Sequence, residues 1–115
     1  MTRIAIIGLG YIGKVHLETL LRIPGVQVVA LVGRRMGPLE VLAAKYGIPK
    51  VTTDYRTLLE DPSIDVIHNC TPNDLHFEVN RAFIQAGKHI FSEKPLARTS
   101  QETRTLVELA KGKNV

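Results

Sequence analysis

The stretch Ile4–Gly13, which reads IAIIGLGYIG, decides the fold class of this 115-residue sequence. Residues Ile4–Ile7 form a short unbroken apolar run, which is typical of a central strand that is covered on both faces. Glycines follow, and apolar residues then recur at helical spacing until Pro24-Gly25 ends the pattern. A strand that leads directly into a helix is the opening of a βαβ unit. The stripe of this helix that is expected to face the sheet contains Ile12, Val15, Thr19 and Leu20.

The same succession of strand and helix repeats along the rest of the chain. Gly47 and Gly87 are suitable helix ends, and Asp54 and Thr99 are suitable N-terminal caps. The alternation predicts an α/β fold, a doubly wound parallel sheet with right-handed crossovers and helices on both faces. The expected strand order is that of a Rossmann domain, 3-2-1-4-5-6, without its sixth and final strand. The remaining predicted strands are Val26–Val32, Lys50–Thr52, Asp65–Cys70 and Lys88–Ser92.

Composition limits the classes of protein to which the chain can belong. With 115 residues, 44% of them apolar, we expect one domain over residues 1–115 with a sizeable core. The 15 lysines and arginines against 11 acidic residues are scattered, and three Tyr, three Phe and no Trp offer little stacking surface for nucleic acid. No apolar run approaches the roughly 20 residues of a membrane span. The single cysteine, Cys70, excludes an intrachain disulfide, and no residues have metal-ligand spacing, so we expect a cytoplasmic protein without a metal.

The three glycines after the first strand match the G-x-G-x-x-G pattern of dinucleotide-binding folds, in the context of strand and helix that the pattern requires. Gly8 permits the tight turn, Gly10 allows the backbone to approach a pyrophosphate, and Gly13 allows the helix to pack close to the strand. The start of the helix offers N–H donors and a partial positive charge to the phosphates. We therefore expect these glycines, together with Tyr11 and Ile12, to contact a dinucleotide.

The end of the second predicted strand favours NADP over NAD as that dinucleotide. About 20 residues after the glycines, NAD-binding folds carry an acid that accepts a hydrogen bond from the ribose 2′-hydroxyl. This chain has Gly33, Arg34 and Arg35 there, and no acid. Glycine leaves room, and arginine donates charge-assisted hydrogen bonds to a 2′-phosphate. The alternative is a solvated arginine pair that binds nothing.

Two further motifs follow the fourth and fifth predicted strands. Thr71–Asn73 reads TPN and precedes His76, and Ala86–His89 (AGKH) leads into Glu93–Ala97 (EKPLA). With the glycines and the following His16, they resemble the oxidoreductase family named after glucose–fructose oxidoreductase, inositol 2-dehydrogenase and a rhizopine-catabolism protein, abbreviated Gfo/Idh/MocA. The resemblance covers nearly the whole chain, with the motifs in the family's order.

The resemblance implies roles for the residues of these motifs. Lys94 would lie beside the nicotinamide and act as the catalytic residue, because its ammonium can stabilise the charge that develops on the substrate oxygen during hydride transfer. Glu93 would hold the strand end and the cofactor ribose, and Pro95 would set the turn that aims Lys94. Asn73 or Asp74 could also cap the next helix. The residues that would line the cofactor pocket after the fourth strand are Thr71, Pro72, Asn73 and His76.

The four histidines point to packing more than to catalysis. His16 and His76 lie about one helical turn from the binding turns, and neither has an acidic partner that is visible in the sequence. His68 and His89 fall in predicted strands and are expected to be satisfied interior or interfacial residues. Cys70 is expected to behave as a small hydrophobic residue.

The family also implies a second domain that this sequence does not contain. In the family, that domain holds the small-molecule substrate, here a sugar, a polyol or a related carbonyl compound. We therefore expect the parent to be an NAD(P)-dependent dehydrogenase and this chain alone to be inactive. A non-enzymatic NAD(P)-binding sensor is the alternative. Without a sixth strand, Lys88–Ser92 is an open sheet edge, which predicts self-association into a homo-oligomer.

Overall fold

A computed structural model describes all of residues 1–115 and contains one sheet of five parallel strands. The strands are β1 (Thr2–Ile7), β2 (Val26–Val32), β3 (Lys50–Thr52), β4 (Val66–Asn69) and β5 (His89–Ser92). The helices are α1 (Tyr11–Leu20), α2 (Met36–Tyr46), α3 (His76–Gln85) and α4 (Ser100–Lys113), and short 3₁₀ helices span Tyr55–Leu58 and Asn73–Leu75. The strand order is β3-β2-β1-β4-β5, which confirms the α/β class and the predicted order of these five strands.

Alternate residues of the central strand β1 enter two different hydrophobic cores. Ala5 and Ile7 pack with Phe83 of α3 in one core, whereas Ile4 and Ile6 pack with Leu17 of α1 in the other. This alternation follows from the two-residue period of a strand, and it explains why β1 is apolar without interruption. A smaller core lies between α3 and α4 and contains Ile84, Ala97 and Leu106. The sheet is thus covered on both faces.

The predicted buried stripe of α1 is right at Leu20 and wrong at its other three positions. Ile12, Val15 and Thr19 are exposed, and the buried residues of the helix are Gly13, Leu17 and Leu20. Gly13 lies so close to the preceding turn that the contact face of the helix is centred on it, and Leu17 and Leu20 follow on the same face at spacings of four and seven residues. Close approach at a small residue, and not the most apolar stripe, sets the orientation of this helix.

The helix ends follow the predicted signals, with one exception. Gly47 and Gly87 adopt positive φ angles of 67° and 82°, as left-handed helix ends require. Asp54 and Thr99 cap their helices with side-chain hydrogen bonds to backbone N–H groups. The predicted cap at Asn73 or Asp74 is wrong, since neither helix start in this segment has a side-chain cap. None of the helices combines the length and the apolar character that a membrane crossing demands.

Candidate functional site

The segments after β1, β2, β4 and β5 all lie at one edge of the sheet, because the strands are parallel. Hydrogen bonds join them directly, since Gly8 N donates to Val32 O at 2.8 Å and Cys70 N donates to Ile7 O at 2.8 Å. The strand order places the first loop in the middle. Three strand spacings separate the end of β2 from the end of β5, which is about 14 Å at about 4.8 Å per spacing. The four segments therefore form an elongated strip along the carboxyl ends of the strands, with α1 beginning near its middle, and we call this strip the groove.

The first two of the three glycines differ in what surrounds them. Gly8 has a φ of +94°, and a Cβ there would lie 2.6 Å from Cys70 O, so no other residue fits without a shift of backbone. Gly10 has no atom within 4 Å of the position of a Cβ. The space over Gly10 is open, and its backbone can be approached from the groove.

Gly13 is the contact between α1 and the loop before it. A Cβ at Gly13 would lie 1.8 Å from Gly8 O, which no L side chain can tolerate. The residue is buried, unlike the neighbouring Tyr11 and Ile12, which are 82% and 43% exposed. The backbone geometry of the turn thus requires glycine at positions 8 and 13.

The start of α1 has the chemistry of an anion site. Gly10 is its N-terminal cap residue, no side chain accepts a hydrogen bond there, and no acidic residue lies in the first turn. The N–H groups of that turn and the positive end of the helix dipole are therefore available to a ligand. A pyrophosphate fits this arrangement, because it is an anion with many acceptor oxygens and the open space over Gly10 allows it to reach the backbone.

The segment after β2 carries two free cations. Arg34 and Arg35 are both exposed, and neither takes part in an ion pair or a side-chain hydrogen bond. Packing against α2 also favours glycine at position 33, because a Cβ there would lie 3.0 Å from Leu39 Cδ2. The arginines remain free to bind an anion at this end of the groove.

The segment after β4 is held by a buried network of side-chain amides. Asn69 accepts from Thr71 Oγ1 at 2.6 Å and donates to Asn80 Oδ1 at 2.8 Å. Asn80 in turn donates to Ser92 Oγ at 3.0 Å and to Leu96 O at 3.2 Å. Pro72 and Asn73 project from this network and are exposed at the groove. The network therefore joins the Thr71 segment to the segment after β5.

The segment after β5 presents an unpaired lysine. Lys94 is exposed and makes no ion pair or side-chain hydrogen bond, and the peptide bond between it and the exposed Pro95 is cis. Glu93 N donates to Asn69 O at 3.0 Å, which continues the β4–β5 ladder by one residue. The carboxylate of Glu93 contacts His16 of α1, with 2.6 Å between Oε1 and Nε2.

Two histidines and a phenylalanine form a cluster beneath Glu93. His16 Nδ1 lies 3.0 Å from His68 Nδ1, and the His68 ring stacks on Phe91 with centroids 4.8 Å apart. Burial, with a smaller contribution from His16, lowers the pKa of His68 to about 4, so this ring is neutral at pH 7. His16 does have an acidic partner, Glu93, which is 77 residues away and therefore not visible as a local sequence pattern.

His76 and Cys70 are held in place by their surroundings. His76 is 1% exposed, and its two ring nitrogens lie 2.5 Å from Pro95 O and 2.7 Å from Thr71 O. It faces the backbone of two loops and not the open groove. Burial raises the pKa of Cys70 to about 12, which is consistent with an inert hydrophobic role.

Comparison with known proteins gives relatives over nearly the whole chain. Residues 2–115 match the model of the Gfo/Idh/MocA oxidoreductase family, described as an NAD-binding Rossmann fold. Levoglucosan dehydrogenase of Pseudarthrobacter phenanthrenivorans is 35% identical over 97% of this chain and 31% of its own length. Myo-inositol 2-dehydrogenase of Thermotoga maritima is 34% identical over 98% of this chain and 34% of its own length.

Solved structures agree with the sequence relatives. Biliverdin reductase of Synechocystis, crystallised with biliverdin and NADP⁺, superposes with a TM-score of 0.89 and 31% identity over 98% of this chain and 35% of its own. The chain thus spans about a third of the length of the proteins that it matches. The match over residues 2–115 and the glycine-led edge of the sheet agree, and the chain belongs to the Gfo/Idh/MocA family of oxidoreductases with an NAD-binding Rossmann fold.

Proposed function

We propose that this chain is the cofactor-binding part of an NAD(P)-dependent oxidoreductase that transfers hydride to or from a sugar, a polyol or a related carbonyl compound. One observation carries the proposal. An uncapped helix start lies at the centre of a groove that has free arginines at one end and a free lysine at the other. A dinucleotide is an extended molecule with phosphates in its middle and would span such a groove.

The two ends of the groove would receive the two ends of the cofactor. The pyrophosphate would bind the N–H groups of Gly10, Tyr11 and Ile12, because no side chain occupies them. Arg34 and Arg35 would receive the adenosine ribose, and their unpaired charges support NADP over NAD. The nicotinamide end would contact the segments after β4 and β5, through Thr71, Pro72, Asn73, Glu93, Lys94 and Pro95.

Lys94 would act on the substrate oxygen. When bound, the nicotinamide supplies the hydride acceptor or donor. The ammonium of Lys94 would donate a hydrogen bond to the oxygen of the carbon that reacts, and its charge would stabilise the alkoxide that develops there. The exposed and unpaired state of this side chain supports that role, since no other group competes for its protons. A sensor that only binds the cofactor would need the glycines but not this lysine.

The substrate class rests on the relatives. The relatives named above are dehydrogenases of levoglucosan and of myo-inositol, and others include a D-glucoside 3-dehydrogenase. A sugar or polyol is therefore the substrate class that we assign to the parent protein, as a small-molecule partner in place of nucleic acid or membrane. We assign a cytoplasmic location on the free thiol of Cys70.

Replacement of Gly10 tests the cofactor site without disturbing the fold. A methyl group at Gly10 meets no atom within 4 Å, but it would occupy the space that a pyrophosphate needs. We expect Gly10→Ala to lower the affinity for NADP⁺ at least about tenfold in calorimetric titration, with an unchanged melting temperature.

Gly112→Ala is the matched control, since Gly112 lies in α4 and is equally free of neighbours. It should leave the affinity unchanged and should not lower the melting temperature, because alanine is favoured over glycine in a helix. Equal affinity of the Gly10→Ala variant and the unmodified chain would contradict the proposed site, as would a failure of NADP⁺ and NAD⁺ alike to bind the unmodified chain.

A further inference from the structure

Each neighbour of Lys94 is held by a different histidine. Glu93 Oε1 lies 2.6 Å from His16 Nε2, and Pro95 O lies 2.5 Å from His76 Nδ1. Lys94 itself has no partner. The place from which its side chain extends is therefore set by the two residues beside it.

The other nitrogen of each histidine reaches a different part of the groove. His16 Nδ1 lies 3.0 Å from His68 Nδ1 in β4, and His16 belongs to the helix that begins at the glycines. His76 Nε2 lies 2.7 Å from Thr71 O. The two rings thus connect the Lys94 segment to the glycine-led helix on one side and to the segment after β4 on the other.

The surroundings of the two rings leave them little freedom. The His16 side chain is 12% exposed and packs edge-on against Phe91, with ring centroids 5.9 Å apart. His76 is 1% exposed. Hydrogen bonds in such shielded positions are stronger than on an open surface, and the loss of a partner leaves a buried polar group unpaired.

We infer that His16 and His76 are positioning residues that hold Lys94 at the reacting end of the cofactor, each by binding one of its neighbours. The inference rests on the proposed function, in which Lys94 contacts the substrate oxygen. Both nitrogens of each ring contact protein groups, so the role inferred for the histidines is positional. Their effect is to limit the positions that the ammonium of Lys94 can reach.

The two nitrogens of a histidine can be replaced one at a time. The side-chain amide of asparagine reaches the place of Nδ1, and that of glutamine reaches the place of Nε2. At position 16 the contact with Glu93 is made by Nε2, so His16→Gln should keep it and His16→Asn should lose it. At position 76 the contact with Pro95 is made by Nδ1, so the expected pattern is reversed.

The order of the Lys94 backbone amide, measured by ¹⁵N NMR relaxation on the 115-residue chain, tests the inference. We expect an order parameter of about 0.85 in the unmodified chain, in His16→Gln and in His76→Asn, and below about 0.6 in His16→Asn and His76→Gln. A role in packing alone predicts equal effects of both amides at a position, and that result would overturn the inference. An unchanged order parameter in all four variants would overturn it too.

Two controls keep the result unambiguous. The melting temperature identifies a variant that fails to fold, and if the buried position 76 does not tolerate replacement, the matched pair at position 16 decides alone. NADP⁺ is then added to the unmodified chain, and the amide signals of the glycine loop report binding. If NADP⁺ does not change the positions of these amide signals, the proposed function is contradicted. The Lys94 order parameters are measured without cofactor and therefore test the role of the histidines separately.

Discussion

Arg34 and Arg35 are the residues at which a preference between NADP and NAD can be tested. Both are exposed cations without partners at the end of β2. We expect Arg34→Ala to weaken the binding of NADP⁺ by about ten- to a hundredfold and to leave that of NAD⁺ within about twofold, because a charged hydrogen bond contributes about 1.5–3 kcal/mol. Calorimetric titration of both cofactors provides the measurement.

Arg104→Ala is the control for the loss of one positive charge. Arg104 is likewise exposed and unpaired, but it lies on α4, away from the groove. Its replacement should change neither affinity. If Arg34→Ala leaves the affinity for NADP⁺ unchanged, the arginines are a solvated pair and the preference must come from elsewhere.

His68 should make stability depend on pH in the mildly acidic range. Burial holds the pKa of His68 at about 4, below its ordinary value of 6.5. Between these values the unfolded chain binds a proton that the folded chain does not, so the free energy of unfolding falls as pH is lowered from 6.5 to 4. The groups that face the ring are His16 of α1 and Phe91 of β5, with Glu93 behind His16.

His68→Asn isolates this contribution, because its amide can keep the contact that Nδ1 makes with His16. We expect the slope of unfolding free energy against pH to decrease by up to about 1.4 kcal/mol per pH unit in this variant, as measured by urea unfolding between pH 4 and 6.5. An identical slope in the variant and the unmodified chain would show that His68 does not titrate as its burial implies.

Local signals revealed some of the site residues and missed others. Gly8, Gly10 and Gly13 are recognisable because their spacing is a property of one continuous turn. The contact between His16 and Glu93 joins residues 77 positions apart, and Asn69 reaches Asn80 across a helix start. The packing of helices and strands brings such pairs together, and no local sequence pattern predicts them. Asn69 had one available signal, a polar side chain in a strand of a sheet that is covered on both faces.

At the scale of elements, helix ends were predictable and helix orientation was not. Gly47 and Gly87 end their helices as expected, because a left-handed residue is a local requirement. The cap at Asn73 failed because Pro72 precedes a 3₁₀ turn, and α3 begins only at His76. The orientation of α1 depends on its contact at Gly13, which apolar spacing alone does not reveal. The spacing therefore predicts that Val15 is buried, although it is exposed.

At the scale of elements, Lys88 stabilises the turn before β4. It is 8% exposed, and its ammonium donates to Asp61 O at 2.5 Å and to Ile64 O at 2.8 Å. We expect Lys88→Met to lower the free energy of unfolding by about 2 kcal/mol, since the charged hydrogen bonds are lost while the apolar stem is kept. Urea unfolding measures the change.

Lys111→Met is the matched control for Lys88→Met. Lys111 is exposed in the last turn of α4 and makes no ion pair, so its replacement should change stability by less than about 0.5 kcal/mol. Equal effects of the two substitutions would show that the ammonium of Lys88 is not stabilising the turn.

At the scale of the whole molecule, the topology is predictable from the alternation of strands and helices together with the glycine turn after the first strand. Right-handed crossovers allow few arrangements of five parallel strands, and the observed order agrees with the predicted one. The same topology brings the Arg34 and Lys94 segments to opposite ends of one groove. The alternation does not predict the buried amide network of Asn69 and Asn80, because this network depends on the distances between loops in the folded chain.

The exposed edge of β5 predicts that the 115-residue chain associates with itself. His89–Ser92 pairs only with β4, so one side of its backbone has no strand partner, and Phe91 on this strand is 57% exposed. Val107 of the neighbouring α4 is 45% exposed. A second copy that pairs with β5 would satisfy the free backbone groups and cover these side chains. Sedimentation velocity should therefore show a dimer whose fraction rises with concentration.

A lysine on the edge strand separates edge pairing from other kinds of association. His89 is exposed, and its side chain makes no hydrogen bond or ion pair, so His89→Lys should leave the fold intact. The charge of the new lysine should oppose the approach of a second strand. We expect it to weaken dimerisation at least about tenfold, because a charged lysine on an edge strand opposes pairing with another strand. Thr19→Lys adds the same charge on the exposed face of α1 and should not weaken it. A chain that remains monomeric at every concentration would refute edge pairing, and equal weakening by both lysines would assign the association to net charge instead.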